Sequence, residues 1–160
     1  MTRMAIEVVV EERAWLTAEP RARSLVRAAA RAVLKHEGTD AALAVLLADD
    51  ERLRALNRQF RGKDAPTNVL SFPAPAGAGE TLGDVALALG VCVREAAEQG
   101  KTLAAHLQHL TTHGVLHLLG YDHEADVEAE VMETKERAIL AGLGVADPYA
   151  SQGDHGRHFP

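Results

Sequence analysis

Apolar and polar positions follow strand-like patterns in four places along the chain. Ile6 to Val10 is a β-branched run flanked by charged residues. Ala42 to Leu47 is a short apolar run that favours a buried strand, although periodicity alone does not separate it from a helix. Asn68 to Phe72 predicts a third strand, and the apolar run from Gly83 to Val93 predicts a fourth, inside a sheet. These patterns leave the strand order open.

Apolar residues recur at helical spacing in further segments between and after the strands. The clearest are Arg21 to about His36, the stretch before Gly62, Thr102 to Leu119, and about Asp126 to Leu140. Pro20 precedes the first of them, and Asp49 or Asp50 is placed to cap the second. Strands interleaved with helices predict an α/β (α+β) fold, a small mixed sheet of about four strands covered by about five helices.

Length and composition indicate one folded domain. The chain has 160 residues, of which 47% are hydrophobic and 25% charged, as in ordinary globular proteins. We expect residues 1–150 to form the domain and the patternless polar residues 151–160 to be a disordered tail. Cys92 is the single cysteine, so an intrachain disulfide is impossible. Charges interrupt the N-terminal segment and the apolar runs are short, which predicts a cytoplasmic protein without a membrane segment.

Charge is unevenly distributed along the chain. The formal net charge of −6 argues against a large non-specific surface for nucleic acid. Between Glu51 and Lys63, however, five cations stand against one acid, a local excess of +4. Between Tyr121 and Arg137 the balance reverses, with seven acids against two cations. A small basic patch is therefore available for phosphate.

The segment from His113 to His123 predicts a metal site on a long helix and on the turn after it. His113 and His117 are four residues apart, so on a helix their imidazoles stand one turn apart and can reach one ion. Gly120 can adopt the positive φ that turns the chain at a helix end and brings His123 back. Three nitrogen ligands leave the fourth tetrahedral position of Zn²⁺ open for water, as in catalytic sites.

Other histidines are weaker ligand candidates. His106 and His109 lie on the same helical stripe, but only the pair His113 and His117 is followed by a glycine turn. We expect His109 to be a core histidine or to support the ligands, and His106 to lie at the surface. His155 and His158 fall in the predicted tail.

The histidine spacing is also that of metzincin peptidases, whose motif carries a glutamate directly after the first histidine. Here that position is Gly114. Loss of a general base costs typically ~10²–10⁴-fold in rate. A zinc metallopeptidase is therefore an alternative that the sequence disfavours.

A second motif, from Arg61 to Pro73, begins with two cations around a glycine and continues into a strand. Arginine presents a planar fork that binds phosphate oxygens and can stabilise charge developing on phosphorus. Arg61 is therefore the candidate phosphate-contacting residue. The alternative is a solvated helix end, where cations are favoured by the helix dipole.

Three motifs in order resemble the YbeY family of bacterial endoribonucleases. They are Arg61-Gly-Lys-Asp-Ala-Pro-Thr-Asn-Val-Leu-Ser-Phe-Pro73, Leu82-Gly-Asp84 and His113-Gly-Val-Leu-His-Leu-Leu-Gly-Tyr-Asp-His123. The resemblance covers the chain from about Leu53 to Met132. It implies one Zn²⁺ per chain, held by His113, His117 and His123, and a catalytic or phosphate-contacting role for Arg61. It further implies single-strand-specific cleavage of ribosomal RNA precursors, including maturation of the small-subunit 3′ end, and ribosome quality control.

The hypothesis for the chemistry is metal-assisted phosphodiester hydrolysis. Zinc would lower the pKa of its water toward ~7 or polarise a phosphoryl oxygen, while Arg61 neutralises developing charge. The general base is left unassigned, because Asp122 could simply orient an imidazole. The small basic patch predicts weak RNA affinity unless ribosomal proteins or nucleases in ribosomal particles present the substrate. A non-catalytic, zinc-stabilised ribosome-binding module is the remaining alternative.

Overall fold

The computed structural model describes residues 5–150. The elements in chain order are β1 (Ala5–Val10), α1 (Ala14–Ala18), α2 (Ala22–His36), β2 (Ala42–Ala48), α3 (Asp50–Arg61), β3 (Val69–Pro73), β4 (Thr81–Ala88), α4 (Leu89–Glu98), α5 (Leu103–Leu118) and α6 (Asp126–Gly142). The predicted mixed α/β fold is confirmed, with four strands and six helices in this range. The predicted tail, with His155 and His158, lies outside the described residues.

The four strands form one mixed sheet in the order β1-β2-β4-β3. β1 pairs with β2, and β2 with β4, in parallel, whereas β3 pairs with β4 antiparallel and forms an edge. The register places Val8 opposite Val45, Val45 opposite Val85, and Val85 opposite Ser71. Their shared face packs against α2 and α5, and α6 packs on these two helices to complete the larger core. On the other face α3 covers a smaller cluster around Leu53 and Leu70.

The predicted fourth strand is wrong in its second half, because the chain leaves the sheet at Ala88 and forms α4. A cap supplied from another element explains the change. The Asp50 carboxylate accepts the Val91 backbone N–H in the first turn of α4 at 3.0 Å. Gly90 permits this approach, since a Cβ there would lie 2.4 Å from the carboxylate. Local apolar character could not indicate a helix whose start is fixed by a residue about 40 positions earlier.

The short helix α1 was also absent from the prediction. Its Trp15 is fully buried, and the indole N–H donates to the Ala48 carbonyl at 2.9 Å. One buried aromatic anchor therefore holds a helix that is too short to show a periodic pattern.

The helix α5 runs through the middle of the fold. Twelve of its sixteen residues are buried, between the sheet on one side and α2, α4 and α6 on the others. Among the described helices, none is long and apolar enough to span a bilayer.

Candidate metal centre

The C-terminal end of α5 carries two of the three predicted ligands, and a glycine turn carries the chain to the third. Gly120 has φ +102°. Its N–H donates to the His117 carbonyl at 3.0 Å, and the Tyr121 N–H donates to the Leu116 carbonyl at 3.1 Å. These two bonds form a Schellman motif, which glycine favours because it has no Cβ. The predicted turn is present, and it returns His123 to the helix end.

The structure brings His113, His117 and His123 together. One ring nitrogen from each lies within 4.8 Å of the other two. His123 Nδ1 is 3.0 Å from His117 Nε2, and the ring centroids are 4.7 to 5.1 Å apart. This cluster could hold a metal ion. Three imidazoles suit Zn²⁺ and also other transition metals.

Burial favours the metal-binding form of the His117 ring. His117 is partly enclosed, and its burial, together with the neighbouring His113 and His123, lowers its pKa to about 4. The ring is therefore neutral at pH 7. Neutrality matters because a metal binds the unprotonated nitrogen of imidazole.

A fully buried carboxylate, Glu136 on α6, lies beneath the cluster. Its Oε2 is 2.8 Å from His113 Nδ1, and its Oε1 is 2.9 Å from His109 Nε2 and accepts the Tyr149 hydroxyl at 2.5 Å. Burial alone would raise the pKa of Glu136, but hydrogen bonds from His109 and His113 hold the pKa far below its usual range. A carboxylate only accepts, so Nδ1 of His113 carries the proton and Nε2 bears the lone pair that a metal requires.

Sequence reasoning missed Glu136, although the pattern contained a signal. The buried positions of α6 are Ala129, Met132, Glu136, Ile139 and Leu140. An acid inside an apolar stripe at helical spacing is rarely buried without a partner. Asp122, suggested as the residue that orients an imidazole, instead accepts the backbone N–H of His123 at 2.7 Å.

Of the predictions for the two remaining histidines of α5, one is confirmed and one is wrong. His109 is a core histidine that supports the ligands through Glu136, as predicted. The prediction that His106 lies at the surface is wrong, because only 1% of it is exposed. Its Nε2 lies 2.9 Å from Glu95 Oε1. Glu95 belongs to α4, the helix that the apolar pattern did not reveal, so the partner of His106 was hidden as well.

A second carboxylate fixes the turn itself. Glu37, at the end of α2, accepts hydrogen bonds from the Tyr121 hydroxyl and, at 3.1 Å, from Lys135 Nζ on α6. The Lys135 ammonium also lies 5.1 Å from the centre of the Tyr121 ring. The residues around His123 are thereby tied to both α2 and α6.

Arg61 reaches the same cleft from α3. It is the last residue of that helix, and Gly62 follows with φ +71°. The next loop is fixed by Arg54, which binds Asp64 at 2.8 Å, and by Asn57, which donates to the Ala65 carbonyl at 2.9 Å. The cleft has a volume of about 520 Å³. The polar residues that line it are Arg61, Lys63, Ser71, His113, His117, Tyr121, Asp122, His123 and Glu124.

Gly114 faces the sheet and not the cleft. A Cβ at this position would lie 2.7 Å from Val85 Cγ1, and the Gly114 carbonyl accepts the Ser71 hydroxyl at 2.9 Å. α5 therefore lies unusually close to β3 and β4. The peptidase glutamate would collide with Val85 here, which further disfavours the peptidase alternative.

Glu136→Gln is expected to weaken zinc binding by about 10–100-fold, the usual effect of changing a residue that orients a ligand. The amide cannot accept from His109, His113 and Tyr149 as the carboxylate does. Zinc competition with a chromophoric chelator measures the change, and thermal unfolding in chelator reports on the fold. Glu128→Gln, an exposed acid on the same helix, is the matched control. Equal zinc affinity for both variants would contradict the role assigned to Glu136.

Comparisons with known proteins agree with this geometry. A family model described as Endoribonuclease YbeY matches residues 9–144. Three relatives are named Endoribonuclease YbeY. The protein of Rhodopseudomonas palustris (strain BisB5) is 52% identical, over 92% of this chain and 83% of the relative, and that of Azorhizobium caulinodans is 52% identical, over 92% of this chain and 97% of the relative. The protein of Alkalilimnicola ehrlichii is 54% identical, over 91% of this chain and 90% of the relative. A solution structure of a Thermotoga maritima protein shares the fold with a TM-score of 0.58 and 26% identity, covering 87% of this chain and 91% of that one.

These matches span nearly all of the described residues, including Arg61 and the three clustered histidines. The resemblance seen in the three motifs is therefore confirmed over a longer stretch than the motifs themselves. The chain belongs to the YbeY family of endoribonucleases.

Proposed function

We propose that this protein is a zinc-dependent endoribonuclease that cuts single-stranded RNA in ribosomal RNA precursors, including the 3′ end of the small-subunit RNA, in the cytoplasm. A role in ribosome quality control belongs to the same proposal. The observation that carries it is the convergence of three imidazoles within 4.8 Å in a cleft that Arg61 also lines. Family membership supports the class of substrate.

The residues have separate roles in this proposal. His113, His117 and His123 hold one Zn²⁺, with Glu136 orienting His113. Bound zinc supplies Lewis acidity and lowers the pKa of its water toward ~7. Arg61 binds the scissile phosphate and offsets the charge that develops on its oxygens. No salt bridge to Arg61 is present within residues 5–150, so its guanidinium is available for phosphate.

Charge supports the proposed dependence on ribosomal particles. With a net charge of −6 and a basic excess confined to one short segment, the protein has few cations to hold free RNA. We therefore propose that ribosomal proteins or other nucleases present the substrate. Cleavage of a precursor RNA inside particles is expected to be more efficient than cleavage of the same RNA free in solution.

The test of this function uses purified protein with single-stranded RNA, duplex RNA and casein, each with and without chelator. Only single-stranded RNA should be cut, chelator should stop the cutting, and added zinc should restore it. Cleavage of casein would support the peptidase. If nothing is cut and chelator lowers the melting temperature, the protein is better explained as a zinc-stabilised ribosome-binding module.

A further inference from the structure

A second cavity lies on the sheet face that is turned away from α2 and α5. Its volume is about 880 Å³. It is bounded by α3 and by side chains of all four strands, among them Val9, Leu46 and Phe72. Val9 is 42% exposed and Phe60, near the end of α3, is 60% exposed. Within the described residues, α3 covers only part of this face, so an apolar groove remains open beside it.

This groove is continuous with the histidine cleft around the edge of the sheet. Arg61, Ser71 and Pro73 line both cavities. β3 is the edge strand that separates them, and its side chains alternate between the faces. Ser71 accordingly contacts α5, whereas Phe72 packs on the α3 side. A chain lying in the cleft can pass over β3 into the groove, with Arg61 at the crossing.

The side chains at this crossing suit unpaired nucleotides. Phe60 and Phe72 form an edge-to-face pair with ring centroids 5.2 Å apart. Proteins that bind single strands use aromatic side chains on which bases stack and cations that follow the phosphates. Here the cations are Arg61 and Lys63, which line the histidine cleft, and Arg61 also lines the groove together with the aromatic pair.

Two carboxylates also line the groove. Glu7 lies on β1, at the opposite edge of the sheet from β3, whereas Asp84 on β4 is paired with Phe72, close to the crossing. Carboxylates repel phosphate, and they accept hydrogen bonds from the amino groups of unpaired bases. We therefore expect bases to lie over the sheet, while the phosphates stay with Arg61 and Lys63 in the cleft.

We propose that this groove binds the nucleotides that flank the scissile bond of a single-stranded RNA, with one base stacked on Phe60. The proposal rests on the proposed nuclease function, because the strand enters the groove from the histidine cleft. It also gives a physical reason for single-strand specificity. A base within a duplex is paired and stacked on its neighbours, so its face is not available to Phe60.

The experiment compares Phe60→Ala, Phe60→Trp and the wild type, all zinc-loaded, on a fluorescent ten-nucleotide single-stranded RNA. Phe60→Ala should raise both KM and the dissociation constant measured by anisotropy about tenfold, the loss expected for one stacked base. Phe60→Trp should restore both. Because Phe60 is mostly exposed, its truncation should leave the melting temperature near that of the wild type. Val127→Ala, at an apolar position on α6 that is 75% exposed, is the matched control.

Anisotropy separates this proposal from the proposed nuclease activity. If the wild type binds the RNA through Phe60 without cutting it, the nuclease proposal fails, and only the binding of single-stranded RNA in the groove stands. If the wild type cuts the RNA and Phe60→Ala binds and cuts equally well, the groove proposal is overturned and a protein partner becomes the better occupant. The groove proposal is also overturned if the wild type, at high micromolar protein concentration and low salt, does not bind the RNA.

Discussion

Substituting His117 with alanine should abolish zinc binding and RNA cleavage together. His117 is the central ligand, with one neighbour on the preceding turn of α5 and another 3.0 Å away across the Gly120 turn. Without it, two imidazoles remain, too few for a stable zinc site. Zinc affinity should fall by more than the factor of about 10–100 that follows from changing a residue that only orients a ligand. Elemental analysis and RNA cleavage assays measure the two effects.

The comparison with chelator-treated wild type controls for folding. His117 is only partly buried, so the fold should survive its truncation, and the two metal-free proteins should have similar melting temperatures. Full zinc occupancy in His117→Ala would show that the ion is held elsewhere. If a zinc-free His117→Ala variant still cut RNA, cleavage would not require zinc.

Arg61→Ala should lower kcat/KM for RNA by about 10²–10³-fold, as when one preorganised donor to a developing charge is removed. Zinc binding should be unaffected, because Arg61 lies on α3 and not in the histidine cluster. Arg61→Lys should recover part of the activity, since lysine keeps the charge but loses the planar fork. The measurement is single-turnover cleavage across a range of salt concentrations.

Arg58→Ala is the matched control for Arg61. It removes the same charge from the last turn of α3, at a position that does not line the cleft. We expect Arg58→Ala to lower the cleavage rate much less than Arg61→Ala does. It should also make cleavage less dependent on salt than in the wild type. If Arg58→Ala and Arg61→Ala had equal effects, Arg61 would act only through the general positive potential of this helix end.

The metal cluster could be predicted from the sequence because its geometry is local. Helix spacing relates His113 to His117, and Gly120 determines where the turn places His123. All three ligands lie within eleven consecutive residues. The strands β1, β2 and β3 and the long helices α2, α3, α5 and α6 were predicted for the same reason, since each depends on the periodicity of neighbouring positions.

The parts that escaped prediction depend on contacts between distant elements. Glu136 reaches His113 from another helix, and Asp50, the first residue of α3, caps the first turn of α4. His106 looked like a surface residue only because α4, which carries its partner Glu95, was hidden in an apolar run. The groove beside Phe60 depends on the strand order, which makes β3 the edge of the sheet.

The most direct test of the account is a crystal structure of the zinc-loaded protein with anomalous scattering measured at the zinc edge. We predict one zinc peak per chain, about 2.0–2.1 Å from a ring nitrogen of each of His113, His117 and His123, with an exchangeable water completing the tetrahedron. A zinc ion enclosed by four side chains, or three rings turned away from one another, would contradict it.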